Sequence, residues 1–236
     1  MTSTGSKPTD SGPAIVTTLD AWLSAGDRLH VDNEQTRWAG DDEGALAVAD
    51  LVPTTTPIVV LTPRGVSPTS DTVPRSAVGD IRWARRGPAG RHTELLHRPA
   101  TAATLDLLPH PEGGWFRETW RSTHTFVPAG YPGPRVAATG ILFLLPPDEQ
   151  SIWHAVRSDE LWLWHRGGPL ELSLGGDGDT PGTPERVILG PDIEQRHRVQ
   201  QLVTAGHWQA ARPGADAEVL VSCVVAPGFD FDDFRS

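Results

Sequence analysis

The stretch IWHAVRSDELWLWHRG, Ile152 to Gly167, decides how the rest of the chain is read. It holds a histidine near its start, His154, a glutamate six residues on, Glu160, and a glycine seven residues beyond that, Gly167. Ser158 and Asp159 divide two apolar runs, which predicts a strand, a tight turn and a second strand. Alternate residues of a strand share a face, so if Glu160 points inward, Trp162 and Trp164 point inward with it. Indoles beside a carboxyl suit a flat or ring-shaped ligand such as a sugar or a base, and equally the plain packing of a core. Desolvation among indoles should raise the pKa of Glu160, which would let it act as acid and base near neutrality. A salt bridge to Arg117 would reverse that shift.

The same punctuation continues on both sides. From Pro99 onward, strands are expected at 114–121, 138–145, 151–156, 160–165, 170–174, 186–189, 200–203, 208–211 and 218–225, each bounded by Gly, Pro, Asp or Ser. This spacing is that of an all-β jelly roll or a similar sandwich. GGDGDTPGTP, residues 175–184, reads as a long hairpin turn; Asp177 and Asp179 have no later acid at the position that would close a calcium loop. Leu170, Leu172 and Leu174 share one face and Glu171 and Ser173 the other, so that strand is wet on one side. ILFLL (141–145), LWLW (161–164) and VLVSCVV (219–225) are instead apolar on both faces. One face is the interior; the other needs a cover, because so large an apolar patch is rare on a monomer. A homodimer burying that outer face is expected.

Residues 1–13 read as a flexible leader, and 14–98 as an N-terminal region of α+β type with a linker. TTLDAWLSAG predicts a short helix starting near Thr18 or Asp20, and PIVVLTP a strand. Residues 66–99, with Ser, Thr, Pro and several arginines, read as a linker or extended arm. The net charge of −10 opposes non-specific nucleic-acid binding. No apolar run approaches a membrane span, and the start of the chain has no apolar signal region, so a cytoplasmic protein is expected. Lys7 is the only lysine, which argues against Schiff-base or lysine-base chemistry. Cys223 is the only cysteine, so no disulfide forms within the chain, and its apolar setting makes it a core residue.

Three blocks together name a family. They are LLPHPEGGWFRETWRS (Leu107–Ser122), WHAVRSDELW (Trp153–Trp162), and RVQQLVTAGHWQAAR (Arg198–Arg212) followed by VSCVVAPGFDFDDF (Val221–Phe234). In this order they resemble the cupin family catalogued as domain of unknown function 985, over about residues 104–236. The resemblance implies a double-stranded β-helix barrel, usually dimeric and distantly similar to the sugar-nucleotide epimerase cupins. It implies no settled reaction. A cupin places two histidines one residue apart on one strand and a glutamate past the turn. Here Val156 stands where the second histidine belongs. Leu163 replaces a family histidine, Trp115 a tyrosine and Thr204 a proline.

The resemblance also assigns candidate site residues. His154 and Glu160 are the catalytic candidates. Counting three residues from Gly206 gives Gln209 as the last ligand of a cupin metal site, so His154, Glu160 and Gln209 form the metal candidate; His207 should face elsewhere. One amide in place of an imidazole suits a transition metal poorly. The alternative is a polar triad bonded within the barrel or to a ligand. His110, Glu112, Arg117 and Glu118 in HPEGGWFRETWRS, with Trp162, Trp164 and Gln209, are the substrate-binding candidates. A divalent metal is the one cofactor under consideration, and no organic cofactor is expected.

Three functions stay open. The first is a barrel that binds a small sugar-like or carbonyl ligand and isomerises or epimerises it, with Arg117 steadying an anionic group. The second is a metal-dependent lyase or dioxygenase, and the third a non-catalytic binding or regulatory module. The epimerase cupins pair a histidine base with a tyrosine acid and use a lysine; this chain has only Tyr131 and no lysine in the barrel.

Overall fold

A computed structural model describes residues 13–236, so the leader expected at 1–13 lies almost wholly outside the described residues. The chain divides into two compact units, one ending at Arg98 and one running from Pro99 to Ser236.

The first unit is α+β. Its elements are β1 (Ala14–Thr18), α1 (Leu19–Ser24), β2 (Arg28–His30), β3 (Thr36–Ala39), α2 (Asp42–Leu51), β4 (Ile58–Pro63), β5 (Thr72–Pro74), β6 (Val78–Arg86) and β7 (His92–Leu96). Five of the strands form one antiparallel sheet in the order β3-β1-β4-β6-β7, and β2 pairs with β5. The Thr18 hydroxyl accepts the Ala21 N–H at 3.1 Å and starts α1. Asp41 caps α2 in the same way through the Gly44 N–H, and Asp42 and Glu43 favour the positive end of that helix. Ala45 and Ala49, one turn apart, pack on Val16, Ile58, Val60 and Ala84.

Residues 66–99 are not a linker. β5, β6 and β7 lie there, and β6 is an inner strand of the sheet. Its arginines disguised it. Arg82 is buried against Asp42 at 2.7 Å, and Arg85 against Glu94 at 2.6 Å. Counter-charges on other elements are invisible to a reading of local composition.

The second unit is an all-β cupin barrel preceded by one helical turn. It comprises α3 (Ala100–Thr104), β8 (Leu108–Pro109), β9 (Trp115–Arg121), β10 (Thr125–Phe126), β11 (Arg135–Val136), β12 (Thr139–Leu145), β13 (Ser151–Val156), β14 (Asp159–Gly167), β15 (Leu170–Leu174), β16 (Glu185–Leu189), β17 (Gln200–Val203), β18 (Trp208–Pro213), β19 (Val219–Ala226) and β20 (Phe234–Arg235). A six-stranded sheet, β17-β14-β19-β12-β9-β8, faces a five-stranded sheet, β16-β15-β18-β13-β20; β10 and β11 pair separately. Every strand expected from punctuation is present, within one or two residues at each end. The short strands β8, β10, β11 and β20 carry too few residues for a period to register.

Inward-facing residues from both sheets, among them Phe143, Leu145, Trp162, Leu170, Leu172, Val187 and Leu189, make the core. β15 alternates as expected: Leu170 and Leu172 are buried, while outward Glu171 meets Arg212 at 2.9 Å and Arg186 at 3.5 Å. On the outer face of the larger sheet, register sets Leu202 beside Leu161, Leu161 beside Val224, Val224 beside Gly140, and Gly140 beside Trp120. Trp120 and Leu202 remain half exposed, at 52% and 50%.

Candidate functional site

The barrel mouth between the sheets opens a pocket of about 50 Å³ lined by His110, Glu112, Thr139, Ile141, Phe143, His154, Val156, Glu160, Trp162, Cys223, Val225 and Phe229. Register explains the wall. Glu160 faces Val225 and Trp162 faces Cys223 across β14–β19; Thr139 faces Val225 and Ile141 faces Cys223 across β12–β19. Same-parity residues on three neighbouring strands thus share the interior.

Glu112 enters from the turn between β8 and β9. Gly113 there has φ +110°, and a Cβ at that position would overlap the Gln150 carbonyl, so only glycine fits. The Glu112 carbonyl accepts the Ile152 N–H at 3.0 Å, which ties the turn to β13. Glu149 reinforces it by accepting the Gly114 N–H at 2.9 Å and the Trp115 indole N–H at 2.8 Å.

Five titratable side chains line the pocket: His110, Glu112, His154, Glu160 and Cys223. His154 Nδ1 lies 2.8 Å from the Ile152 carbonyl oxygen, which can only accept. The neutral ring therefore carries its proton on Nδ1 and a lone pair on Nε2. Burial pushes the His154 pKa down, against the opposing pull of Glu160 and of that carbonyl, so the neutral form is favoured. Phe234 of β20 stacks on the imidazole at 5.6 Å between ring centres. Glu112 Oε2 lies 3.3 Å from His154 Nδ1 and accepts the Ser151 hydroxyl at 3.3 Å. Burial raises the Glu112 pKa to about 8, the Ser151 bond opposing only in part. With Oε2 accepting, the acid proton belongs on Oε1. The backbone N–H of Glu112 donates to His110 Nδ1 at 3.2 Å, and His110 sits edge-on to Phe116 and Phe143.

Glu160 is held differently. Gln209 Nε2 donates to Glu160 Oε2 at 2.6 Å, while Gln209 Oε1 accepts the Trp162 indole N–H at 2.8 Å. The indole, a donor only, fixes which way the amide points. Burial raises the Glu160 pKa, and nearby Glu112 raises it further; His154, Gln209 and Cys223 counteract this. Cys223 is buried in the pocket wall with its thiol pKa pushed well up, chiefly by burial and then by Glu160.

Residues 100–236 match the family described as cupin superfamily, DUF985. The chain belongs to that family. A solved hypothetical protein from Leishmania major is 34% identical, covering 57% of this chain and 83% of its own, with TM-score 0.52. A Shewanella oneidensis protein is equally similar, at 34% identity, covering 57% and 80% of the two chains, with TM-score 0.52. The likeness to L-ribose isomerase from Cellulomonas parahominis, 13% identical with TM-score 0.37 over 54% of this chain and 78% of that one, carries no argument about reaction. No curated protein matches the chain.

Within this DUF985 cupin, the residues singled out in the sequence separate into two groups. His110, Glu112, His154, Glu160 and Trp162 line the pocket, with Gln209 directly behind Glu160. Arg117 and Glu118 do not reach it. Both are exposed on β9, and Glu118 pairs with Arg121 at 2.6 Å. Phe116, of opposite parity to Arg117, takes the inward position against His110. Trp164 shares the inward face but packs on the core outside the pocket lining, its indole N–H on the Gly168 carbonyl at 3.1 Å. Arg117 therefore neither steadies a ligand in the pocket nor lowers the Glu160 pKa. Thr139, Ile141 and Phe143 on β12, with Cys223 and Val225 on β19, also line the pocket, and their spacing by two is legible in the sequence; Phe229, which lies beyond β19, carries no such signal.

The family departures also fall into place. Val156 occupies the pocket wall where a second histidine would stand. Leu163 has the opposite parity to Glu160 and Trp162 and pairs with Ser222 and Gln200, so it faces away from the pocket. Trp115 is fully buried on Glu149. The donor set His154, Glu160 and Gln209 does not fit a metal ion. Gln209 turns its oxygen to Trp162 and presents an NH₂ group to Glu160, which leaves one imidazole and one carboxylate as donors.

Proposed function

We propose that the pocket binds a small carbonyl or sugar-like compound and moves a proton on it, as an isomerase or epimerase does. His154 Nε2 is the base. It takes a proton from the carbon beside the carbonyl while Glu112 Oε1 donates its proton to the carbonyl oxygen. The resulting enediol is then reprotonated at carbon, and both groups return to their starting states. The observation that carries this reading is the juxtaposition of His154 and Glu112 in one pocket, Nδ1 of the imidazole lying 3.3 Å from Oε2 of the carboxyl, which leaves Nε2 and Oε1 for a ligand. An acid and a base whose environments push their pKa values in opposite directions suit proton transfer near neutrality.

Sugar nucleotides fit poorly. Neither arginine nor lysine is among the residues lining the pocket, so a diphosphate finds no counter-charge. Tyr131, the one tyrosine, bonds Ser158 Oγ at 3.0 Å and is not a lining residue. The apolar row across β17, β14, β19, β12 and β9 supports pairing of two barrels through that outer face. Light scattering should give a dimer mass, and Trp120→Glu with Leu202→Glu should halve it.

The chemistry is tested by deuterium exchange. Small aldoses, ketoses and hydroxyketones are incubated with the protein in heavy water, and the carbon-bound protons are followed by NMR. Exchange at the carbon beside the carbonyl, lost in both His154→Gln and Glu112→Gln, is the expected result. Exchange that persists in either variant, or none with any compound, refutes the proposal.

A further inference from the structure

Buried carboxylates ordinarily meet a cation within the protein. Elsewhere in this barrel they do so: Asp233 lies 2.6 Å from Arg135 and 3.3 Å from Arg157. Glu112 and Glu160 are each only 7% exposed, and neither has an arginine or lysine partner among the described residues.

The two carboxyls are not equivalent. Glu112 accepts one hydroxyl, at 3.3 Å, and suits the protonated form. Glu160 accepts the Gln209 N–H at 2.6 Å, from an amide whose orientation the Trp162 indole fixes. A short, pre-aligned donor bond favours the ionised form of its acceptor. The barrel thus aims a fixed donor at Glu160 and supplies no counter-ion to offset the burial that disfavours its charge. Aromatic side chains complete the surroundings. Phe143, Trp162 and Phe229 line the same cavity, with Phe143 and Trp162 edge to face at 5.9 Å. Aromatic rings and a carboxylate together are the usual surroundings of an organic cation. His154 Nε2 opens on the same space and has no partner among the described residues. The net charge of −10 draws cations toward the protein and repels anions.

We propose that the ligand supplies the missing positive charge: it is a small protonated amine whose ammonium group pairs with Glu160 while its carbon skeleton lies against Trp162 and Phe143. The amine assignment stands apart from catalysis. That the same compound also bears the reacting carbonyl rests on the proton-transfer reading above, and the ligand is then an aminoketone or an amino sugar.

The groups facing Glu160 are His154 from β13, Gln209 from β18, Cys223 from β19 and Glu112 from the turn before β9. Of these, Glu112 competes for the ammonium charge and His154 opposes it when protonated. Amine binding should therefore strengthen as pH rises, because Glu160 holds the ammonium only when ionised and His154 opposes it only when protonated. A neutral analogue should show no such rise.

The test is calorimetric titration of the full chain with two matched sets: aminoacetone, hydroxyacetone and pyruvate; and glucosamine, glucose and glucuronate. The amine of a set should bind about tenfold more tightly than its neutral match at neutral pH, one ion pair's worth, and the acid should not bind. Glu160→Gln should erase the preference, and Glu112→Gln should retain it. Equal or better binding of the neutral or acidic member, a preference that survives in Glu160→Gln, or no binding of either amine overturns the proposal. The rise with pH in the unmutated protein reads the same charge without any variant, so misfolding of Glu160→Gln does not spare the proposal. Amine binding without deuterium exchange upholds this inference and sinks the proton-transfer reading. Exchange on neutral compounds with no amine preference does the reverse.

Discussion

Glu112→Gln should stabilise the protein at pH 8 and change it little at pH 5. Burial lifts the Glu112 pKa from 4.5 to about 8. Between those values the unfolded chain has released a proton that the folded chain still holds. The unfolded state then binds fewer protons, so stability falls as pH rises through this window. At about 1.4 kcal/mol per pH unit, wild type loses under about 1 kcal/mol by pH 5 and about 4 kcal/mol by pH 8. Glutamine has nearly the same shape, its oxygen can still accept the Ser151 hydroxyl, and it does not titrate. The stability gap between variant and wild type should therefore shift by about 3–4 kcal/mol in the variant's favour from pH 5 to pH 8. Urea unfolding at both pH values measures it, with hydrogen exchange on β13 and β14 peptides reporting the barrel rather than the N-terminal unit. Titrating groups that do not interact with Glu112 are common to both proteins and cancel; Glu160, whose pKa Glu112 raises, is relieved in the variant and shifts the gap in the same direction. A gap equal at the two pH values would refute the claim that Glu112 is a buried neutral acid, and with it the acid role in the proposed reaction.

Gln209→Leu strands the Trp162 N–H and removes the donor to Glu160, and should cost about 2–4 kcal/mol in urea unfolding, two buried polar groups being left short of a partner. Cys223, buried and with its thiol pKa pushed up, should resist a water-soluble disulfide reagent in the native protein and react at once in urea; absorbance of the released thiolate reads both. Gly113→Ala should lower the melting temperature sharply, because its side chain meets the Gln150 carbonyl in a left-handed conformation, whereas Gly130→Ala, at a positive φ but in open space, should lower it far less.

The barrel was legible because its evidence is local. Strands of four to nine residues with turn residues at their ends, and alternation such as Leu170-Glu171-Leu172-Ser173, are written in neighbouring letters. The inward parity of Glu160 and Trp162 was readable for the same reason. What failed depended on residues far apart. The arginines of β6 looked solvated because Asp42 and Glu94 lie on other elements. Arg117 looked like a ligand contact because a single strand has two faces and local sequence does not say which is inside. Phe116 takes the inner face, held edge-on to His110.

The sequence by itself determined the family, the positions of nine strands between residues 114 and 225 and the presence of His154, Glu160 and Glu112, since motifs and local spacing carry those. Only the tertiary structure decided what the groups are to one another. The Ile152 carbonyl sets the tautomer of His154, the Trp162 indole turns the Gln209 amide so that it donates to Glu160, and enclosure by three strands lifts the Glu112 pKa. Each of these is a directional or desolvation effect between atoms brought within about 3 Å by folding. A linear pattern holds no record of such distances, and the chemistry of this pocket depends on them.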